Sequence, residues 1–215
     1  MIFCFDISGS MCVSSPVTGK HKLKGNNLDK KRKDLMAFSD GSDQFFGGSR
    51  NVTYISRLQC LQAAIESNLS NLMKVSPNRK VGFVTFNNEV IGYGDGTKEQ
   101  VKINGNNLND YEVIRQTAEK SQNIVSTPLK DAHSFLLKQL YGLEENGQTA
   151  LGPAILFSIN LINGSLSAGS RIILCTDGIS NTGIGSMEGK ASETEIQELK
   201  EFYTNMVLMA KNKGG

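Results

Sequence analysis

The feature that most constrains this chain is a short apolar run that ends in an aspartate and two hydroxyl residues. Residues 3–11 read Phe-Cys-Phe-Asp-Ile-Ser-Gly-Ser-Met, so Asp6 closes a run with strand character and Ser8 and Ser10 follow it. A buried strand that ends in polar side chains is typical of an α/β sheet, whose strand ends carry the binding sites. Three hard oxygen donors so close together indicate a site for a hard cation such as Mg²⁺.

Two later segments carry residues that would complete such a site. Thr149 directly precedes an apolar helical run that begins Ala-Leu-Gly-Pro, and Asp177 follows a second apolar run at residues 171–176. Because the carboxyl ends of parallel strands meet at one edge of a sheet, we expect Asp6 and Asp177 to lie close together. The first motif alone would be explained by a capped turn, but the three segments together favour a metal site.

With these segments, the chain resembles the von Willebrand factor type A domain, a family that includes the inserted domains of integrins. The family's metal-ion-dependent adhesion site combines Asp-x-Ser-x-Ser, a distant Thr and a Thr-Asp-Gly strand end. The resemblance implies a bound Mg²⁺, with Mn²⁺ or Ca²⁺ as alternatives, held directly by the hydroxyls and mainly through water by the carboxylates. The residues that match the pattern are Asp6, Ser8, Ser10, Thr149 and Asp177.

The resemblance also implies binding rather than turnover. A protein partner would supply an aspartate or glutamate to the metal, so we expect a metal-dependent protein-interaction module and not an enzyme. Two alternatives stay open: a structural trunk domain of a larger intracellular assembly, as in vesicle-coat subunits, and a Mg²⁺-dependent phosphatase or hydrolase. The phosphatase hypothesis is weakened because such enzymes need a second aspartate, as general acid, where Ser8 stands.

The alternation of apolar runs predicts a doubly wound, mostly parallel α/β sheet with helices on both faces. Residues 81–86 are typical of a buried parallel strand, and residues 89–93 predict one antiparallel edge strand. The resemblance implies that the last strand and helix of the family are missing, so we expect a fragment of a longer protein. Apolar residues spaced three and four apart predict helices over 57–75, 109–121, 128–143, 150–162 and 194–211.

Composition limits the remaining possibilities. The 215 residues, 39% of them hydrophobic, are enough for one domain, residues 1–215. The net charge of +2, from 23 basic and 21 acidic residues, creates no field that would select nucleic acid. The sequence contains no run of 18 apolar residues, so no membrane-spanning helix is predicted. The four cysteines are scattered without metal-site spacing, which favours free thiols and a reducing, intracellular location in the cytoplasm.

Residues 14–50 form a polar insertion directly after the metal-binding loop. They are rich in Gly, Ser, Lys and Asp, so we predict a solvated segment that could contact the partner-binding rim, with Phe45 and Phe46 as its apolar exception. The alternating glycines at 92, 94 and 96 predict a turn rather than a phosphate loop. His133 is predicted to be a surface or core residue rather than a catalyst.

Overall fold

The computed structural model describes residues 1–18, 52–162, 169–190 and 192–214, and within these ranges the chain forms seven strands and five helices. The strands are β1 (Ile2–Asp6), β2 (Ser14–Thr18), β3 (Val52–Ser56), β4 (Gly82–Phe86), β5 (Glu89–Gly94), β6 (Val101–Asn104) and β7 (Ile172–Cys175). The helices are α1 (Arg57–Val75), α2 (Tyr111–Lys120), α3 (Leu129–Tyr141), α4 (Leu151–Leu161) and α5 (Glu193–Gly214).

Five of the strands form one mixed sheet in the order β6-β5-β4-β1-β7. The central strand β1 pairs in parallel with β4 and β7, whereas β5 runs antiparallel to both of its neighbours, β4 and β6. The predicted α/β class is therefore confirmed, and the antiparallel strand is where the sequence placed it. However, β5 is not the edge of the sheet, because β6 extends the sheet beyond it.

Side chains alternate along β1 between two apolar cores, one on each face of the sheet. Ile2 and Cys4 pack with α2, α4 and α5, while Phe3 and Phe5 pack with α1 and α3. On the second face, the ring of Phe83 meets Phe3 and Phe5 edge to face, with ring centroids 6.0 and 5.3 Å apart. Because helices cover both faces, β1 and β4 are mainly apolar, and their polar residues, Asp6 and Thr85, lie at or near the carboxyl ends.

Helix α1 begins where its sequence predicts, because a capping box defines its first turn. The backbone N–H of Gln59 donates to the Ser56 hydroxyl (3.1 Å), and the Ser56 N–H donates to the Gln59 side chain (2.8 Å). The helix then buries Leu58 and Ile65 against the sheet. Its first residue, Arg57, is thereby held beside the loop that follows β1.

A small second sheet lies next to that loop, where β2 pairs antiparallel with β3. The first five residues of the predicted insertion, Ser14–Thr18, are thus a strand and not a solvated loop. The remainder of the insertion, including Phe45 and Phe46, lies outside the described residues. No described helix has the length and apolar character needed to cross a bilayer.

Candidate metal site

Asp6 is a buried carboxylate at the carboxyl end of β1. The backbone N–H of Ser8 donates to its Oδ1 (2.8 Å), and the hydroxyl of Thr176 donates to its Oδ2 (2.7 Å). These two hydrogen bonds fix the orientation of the carboxylate. Each oxygen keeps a second lone pair that can accept another donor or a cation.

The two serines are brought together by a 3₁₀ turn, Gly9–Cys12, that follows β1. The N–H of Met11 donates to the carbonyl of Ser8 (3.0 Å), and the Met11 side chain is buried, which anchors the turn. The hydroxyl oxygens of Ser8 and Ser10 are 3.1 Å apart. Ser8 is buried and Ser10 is exposed, so the pair leads from the interior to the surface of the site.

Asp177, which follows β7, joins the same group of side chains. The Ser10 hydroxyl donates to Asp177 Oδ1 (2.7 Å), and Nη1 of Arg57 donates to Asp177 Oδ2 (2.5 Å). Hydrogen bonds therefore connect the carboxyl ends of β1 and β7, as the parallel pairing of these strands requires. The guanidinium of Arg57 places one positive charge against the outer of the two carboxylates.

Thr149 reaches the site from the loop that precedes α4. A Cβ atom placed on Gly178 would lie 3.8 Å from Ser10 Oγ and 3.9 Å from Thr149 Oγ1, so both hydroxyls border the same small space. The Thr149 N–H donates to the side chain of Asn181 (2.6 Å), and its carbonyl accepts from the Asn181 N–H (3.1 Å). The structure thus brings all five sequence-predicted residues to one edge of the sheet.

The loops that carry these residues are also tied to each other through the backbone. The N–H of Gly9 donates to the carbonyl of Gly147 (3.0 Å), and the N–H of Asn146 donates to the carbonyl of Ile7 (2.9 Å). Such bonds hold the serine loop and the threonine loop in a defined relative position. A site assembled in this way does not depend on its own side-chain contacts to stay together.

The donors offered by these five residues are all oxygen atoms, two carboxylates and three hydroxyls. This set fits a hard cation such as Mg²⁺, which prefers oxygen ligands and keeps several of its waters. Within the described ranges, no group of three His, Cys, Asp or Glu side chains is placed to hold a metal ion. A cation here would therefore depend on hydroxyl groups as well as on Asp6 and Asp177.

Two contacts at the site were not predicted from the sequence, those of Arg57 and Thr176. Thr176 directly precedes Asp177, so its place at the strand end was readable, but its hydrogen bond to Asp6 joins residues 170 positions apart. The pairing of Arg57 with Asp177 spans 120 positions. Local patterns carry no signal for contacts at such separations.

Of the three glycines predicted to form a turn, Gly92 and Gly94 lie in β5, and only Gly96 lies in the turn that follows the strand. Gly94 and Gly96 have positive φ angles of 58° and 79°. The N–H of Gly96 donates to the Tyr93 carbonyl (3.1 Å), and that of Asp95 donates to the Ile124 carbonyl (2.8 Å). These donors are already used within the protein, so they are not offered to an anion.

Neither His133 nor the cysteines belong to this site. The Nε2 atom of His133 is buried without a hydrogen-bond partner in the described part of the chain. All four cysteines are free, as predicted. Burial raises the pKa of the Cys4 thiol to about 12 and also raises the pKa of Cys175, so both stay protonated at neutral pH. Cys4 and Cys175 are therefore not thiolate nucleophiles at neutral pH.

Comparison with known proteins gives one informative match. No protein-family profile matches the chain. A protein of Dictyostelium discoideum named "Circularly permutated Ras protein 1" is 30% identical over 215 residues, which cover 99% of this chain and 23% of the relative. The chain thus spans about a quarter of the length of the curated relative that it matches.

This match contradicts the resemblance to the von Willebrand factor type A domain. The relative is named as a Ras protein, so the predicted family and the predicted metal-dependent adhesion are wrong. The inference that a last strand and helix are missing rested on the same resemblance and loses its basis. The physical reason is that any doubly wound α/β sheet gathers polar residues at its strand ends, so short motifs there do not separate one such family from another. The expected protein partner and intracellular location are tested by none of these findings and stay predictions.

Proposed function

We propose that the chain binds a divalent cation, Mg²⁺ in first place, as part of a Ras-like, GTP-binding signalling protein. The observation that carries the proposal is the chain of hydrogen bonds from Asp6 through Ser8 and Ser10 to Asp177. It places two carboxylates and two hydroxyls side by side at the carboxyl ends of neighbouring parallel strands, where α/β sheets bind their ligands. Thr149 adds a third hydroxyl beside Gly178.

Each residue has a distinct part in this proposal. Asp6 contributes a buried negative charge whose orientation is fixed by Ser8 and Thr176. Ser8, Ser10 and Thr149 contribute neutral oxygen ligands, which leave a bound cation with most of its own charge. When bound, Mg²⁺ would supply a strong positive charge for a further anionic ligand.

The signalling part of the proposal comes from the relative. Ras proteins are GTPases that bind GTP together with Mg²⁺, so a Mg²⁺ site is compatible with a Ras-like parent protein. Because Ras proteins are GTPases, the relative's name also counts against the expectation that this chain is not an enzyme. We infer that GTP binding and hydrolysis are activities of the parent protein.

The nucleotide itself is not assigned to residues of this chain. The phosphate loop of Ras-type proteins reads Gly-x-x-x-x-Gly-Lys-Ser/Thr, and its Lys and Ser/Thr hold the phosphates and Mg²⁺. The two Gly-Lys pairs in this sequence are followed by His21 and Ala191. The metal site is therefore proposed on the five strand-end residues, and GTP enters as an arm of the test.

Thermal unfolding with and without ligands tests the proposal. A ligand present at 100 times its Kd stabilises the folded state by about 2.7 kcal/mol, which raises the Tm of a chain of this size by roughly 5–10 °C. We expect such a rise with Mg²⁺ in the wild type and in Ser134→Ala, whose exposed side chain lies on α3, but a much smaller rise in Ser8→Ala. A further rise with GTP plus Mg²⁺ would place nucleotide binding on this chain, and no rise with any divalent cation would contradict the metal site.

A further inference from the structure

The contact between Arg57 and Asp177 is an ion pair inside the candidate metal site. Both oxygens of Asp177 are engaged, Oδ1 by the Ser10 hydroxyl and Oδ2 by the guanidinium. A guanidinium stays charged at any pH that the protein experiences, so this positive charge is permanent. Any cation that requires Asp177 must share the carboxylate with Arg57 or displace it.

The two partners differ in their exposure to solvent. The side chain of Asp177 is 14% exposed, whereas that of Arg57 is 48% exposed. The aspartate also accepts from the Ser10 hydroxyl, while the half-exposed arginine can move into water without opening the core. Displacement would therefore move Arg57 and leave the carboxylate where it is.

The backbone of Arg57 is fixed independently of its side chain. Its N–H donates to the carbonyl of Val13 (3.0 Å), directly after the 3₁₀ turn that carries Ser10. The capping box at Ser56 and Gln59 defines the start of α1 without the guanidinium. A change of the Arg57 side chain should thus alter the charge at the site without removing the start of the helix.

We infer that Arg57 is an internal counter-cation that sets the affinity of this site by occupying Asp177 until a divalent cation displaces it. The inference rests on the metal site proposed above. In the cation-free protein the guanidinium neutralises one of the two carboxylates. A divalent cation, with twice the charge and a preference for oxygen ligands, takes its place at Asp177 and releases Arg57 to the surface.

Competition between Arg57 and a divalent cation for Asp177 predicts the direction in which the Kd changes when Arg57 is replaced. When the binding-competent arrangement is only partly populated, the apparent Kd rises in proportion, and removal of the competitor lowers it. A partly exposed ion pair is weak enough to be displaced. We therefore expect Arg57→Gln to bind Mg²⁺ about two- to fivefold more tightly than the wild type.

Calorimetric titration with Mg²⁺ tests the inference in four versions of the 215-residue chain: wild type, Arg57→Gln, Arg57→Lys and Lys74→Gln. Lys74 lies exposed in the last turn of the same helix, so Lys74→Gln removes one positive charge far from Asp177 and should leave the Kd unchanged. Arg57→Lys retains the charge and should stay within about twofold of the wild type.

The outcomes separate this inference from the metal site itself. Tighter binding by Arg57→Gln alone supports a competing counter-cation. If the wild type binds Mg²⁺ and Arg57→Gln binds equally or more weakly, the metal site stands and the counter-cation is refuted. If neither the wild type nor Arg57→Gln binds Mg²⁺, the metal site and the counter-cation are both refuted.

Discussion

Asp95 is expected to be one of the most important polar residues for the stability of the fold, although it lies outside the metal site. Asp95 is fully buried, and its carboxylate accepts four hydrogen bonds. Oδ1 accepts from the N–H (3.0 Å) and the hydroxyl (2.5 Å) of Thr97, and Oδ2 accepts from the N–H groups of Ser126 (2.9 Å) and Thr127 (2.8 Å). This one side chain therefore ties the turn after β5 to the segment that precedes α3.

The cost of its removal follows from the donors left behind. Asp95→Ala leaves three backbone N–H groups without an acceptor, and each buried unsatisfied group costs about 1–3 kcal/mol. Ser126 and Thr127 are only half-buried, so water replaces part of the loss. We expect a loss of about 3 kcal/mol in the free energy of unfolding for Asp95→Ala and about 1–2 kcal/mol for Asp95→Asn, which keeps one acceptor.

Urea denaturation followed by circular dichroism measures these losses. The control is Asp131→Asn, an exposed carboxylate in the first turn of α3, which should lower the free energy of unfolding by no more than about 0.3–1 kcal/mol, the usual effect of a charge at a helix N-terminus. The reasoning would be refuted if Asp95→Ala unfolded at the same urea concentration as the control with an unchanged slope.

The same residue predicts a pH dependence. Burial raises the pKa of Asp95, but the hydrogen bonds from Thr97, Thr127 and Ser126 lower it more, so its pKa lies below the ordinary value of 3.8. A carboxylate with a lowered folded-state pKa stabilises the protein fully above its unfolded pKa and loses that effect as the pH falls through the folded value. The stability gap between wild type and Asp95→Asn should therefore be constant near neutral pH and narrow below pH 3.8.

Two further predictions test the description of the fold. Gly94→Ala should lower the free energy of unfolding by more than about 3 kcal/mol, because φ is 58° and the new Cβ would lie 2.1 Å from the Ile124 carbonyl oxygen. Gly105→Ala has a similar φ of 56° but open space around the new Cβ, so it should lower the free energy of unfolding by about 1 kcal/mol. Similar urea midpoints for the two variants would contradict this packing. In the native protein, a thiol reagent should modify two cysteines quickly and two slowly. A third quickly modified thiol would contradict the burial of the cysteines in β1 and β7. The fast pair is Cys12 and Cys60, and the slow pair is Cys4 and Cys175.

Helix α1 shows how much of the fold local sequence could predict. Apolar residues at helical spacing predicted residues 57–75, and the structure has the helix at Arg57–Val75. Both signals are local, since the apolar face repeats within each turn and the capping box lies within four residues. Strand β6 was missed because four residues, Val-Lys-Ile-Asn, are too few to show a clear period of two.

Non-local pairing explains the other differences. Ser14–Thr18 is polar and contains a proline, so it is typical of a loop, and only its pairing with Val52–Ser56 makes it a strand. The placement of the five candidate residues at one edge of the sheet could be predicted, because each lies at or directly after a strand end or before a helix start and the parallel pairing brings these ends together. The Arg57 contact could not be predicted, since it depends on tertiary packing. Three short motifs were also too little sequence to indicate the relative that the comparison found.

The most direct test of the metal site is equilibrium dialysis of the metal-free protein against increasing Mg²⁺. Asp6→Asn keeps the shape of the buried side chain and one of its two acceptor oxygens but removes its charge. We predict that the wild type and Asp131→Asn bind one ion per chain and that Asp6→Asn binds it at least about tenfold more weakly, a difference of about 1.4 kcal/mol. Equal binding by folded Asp6→Asn, or no binding by the wild type, would contradict the central claim that these strand ends form a cation site.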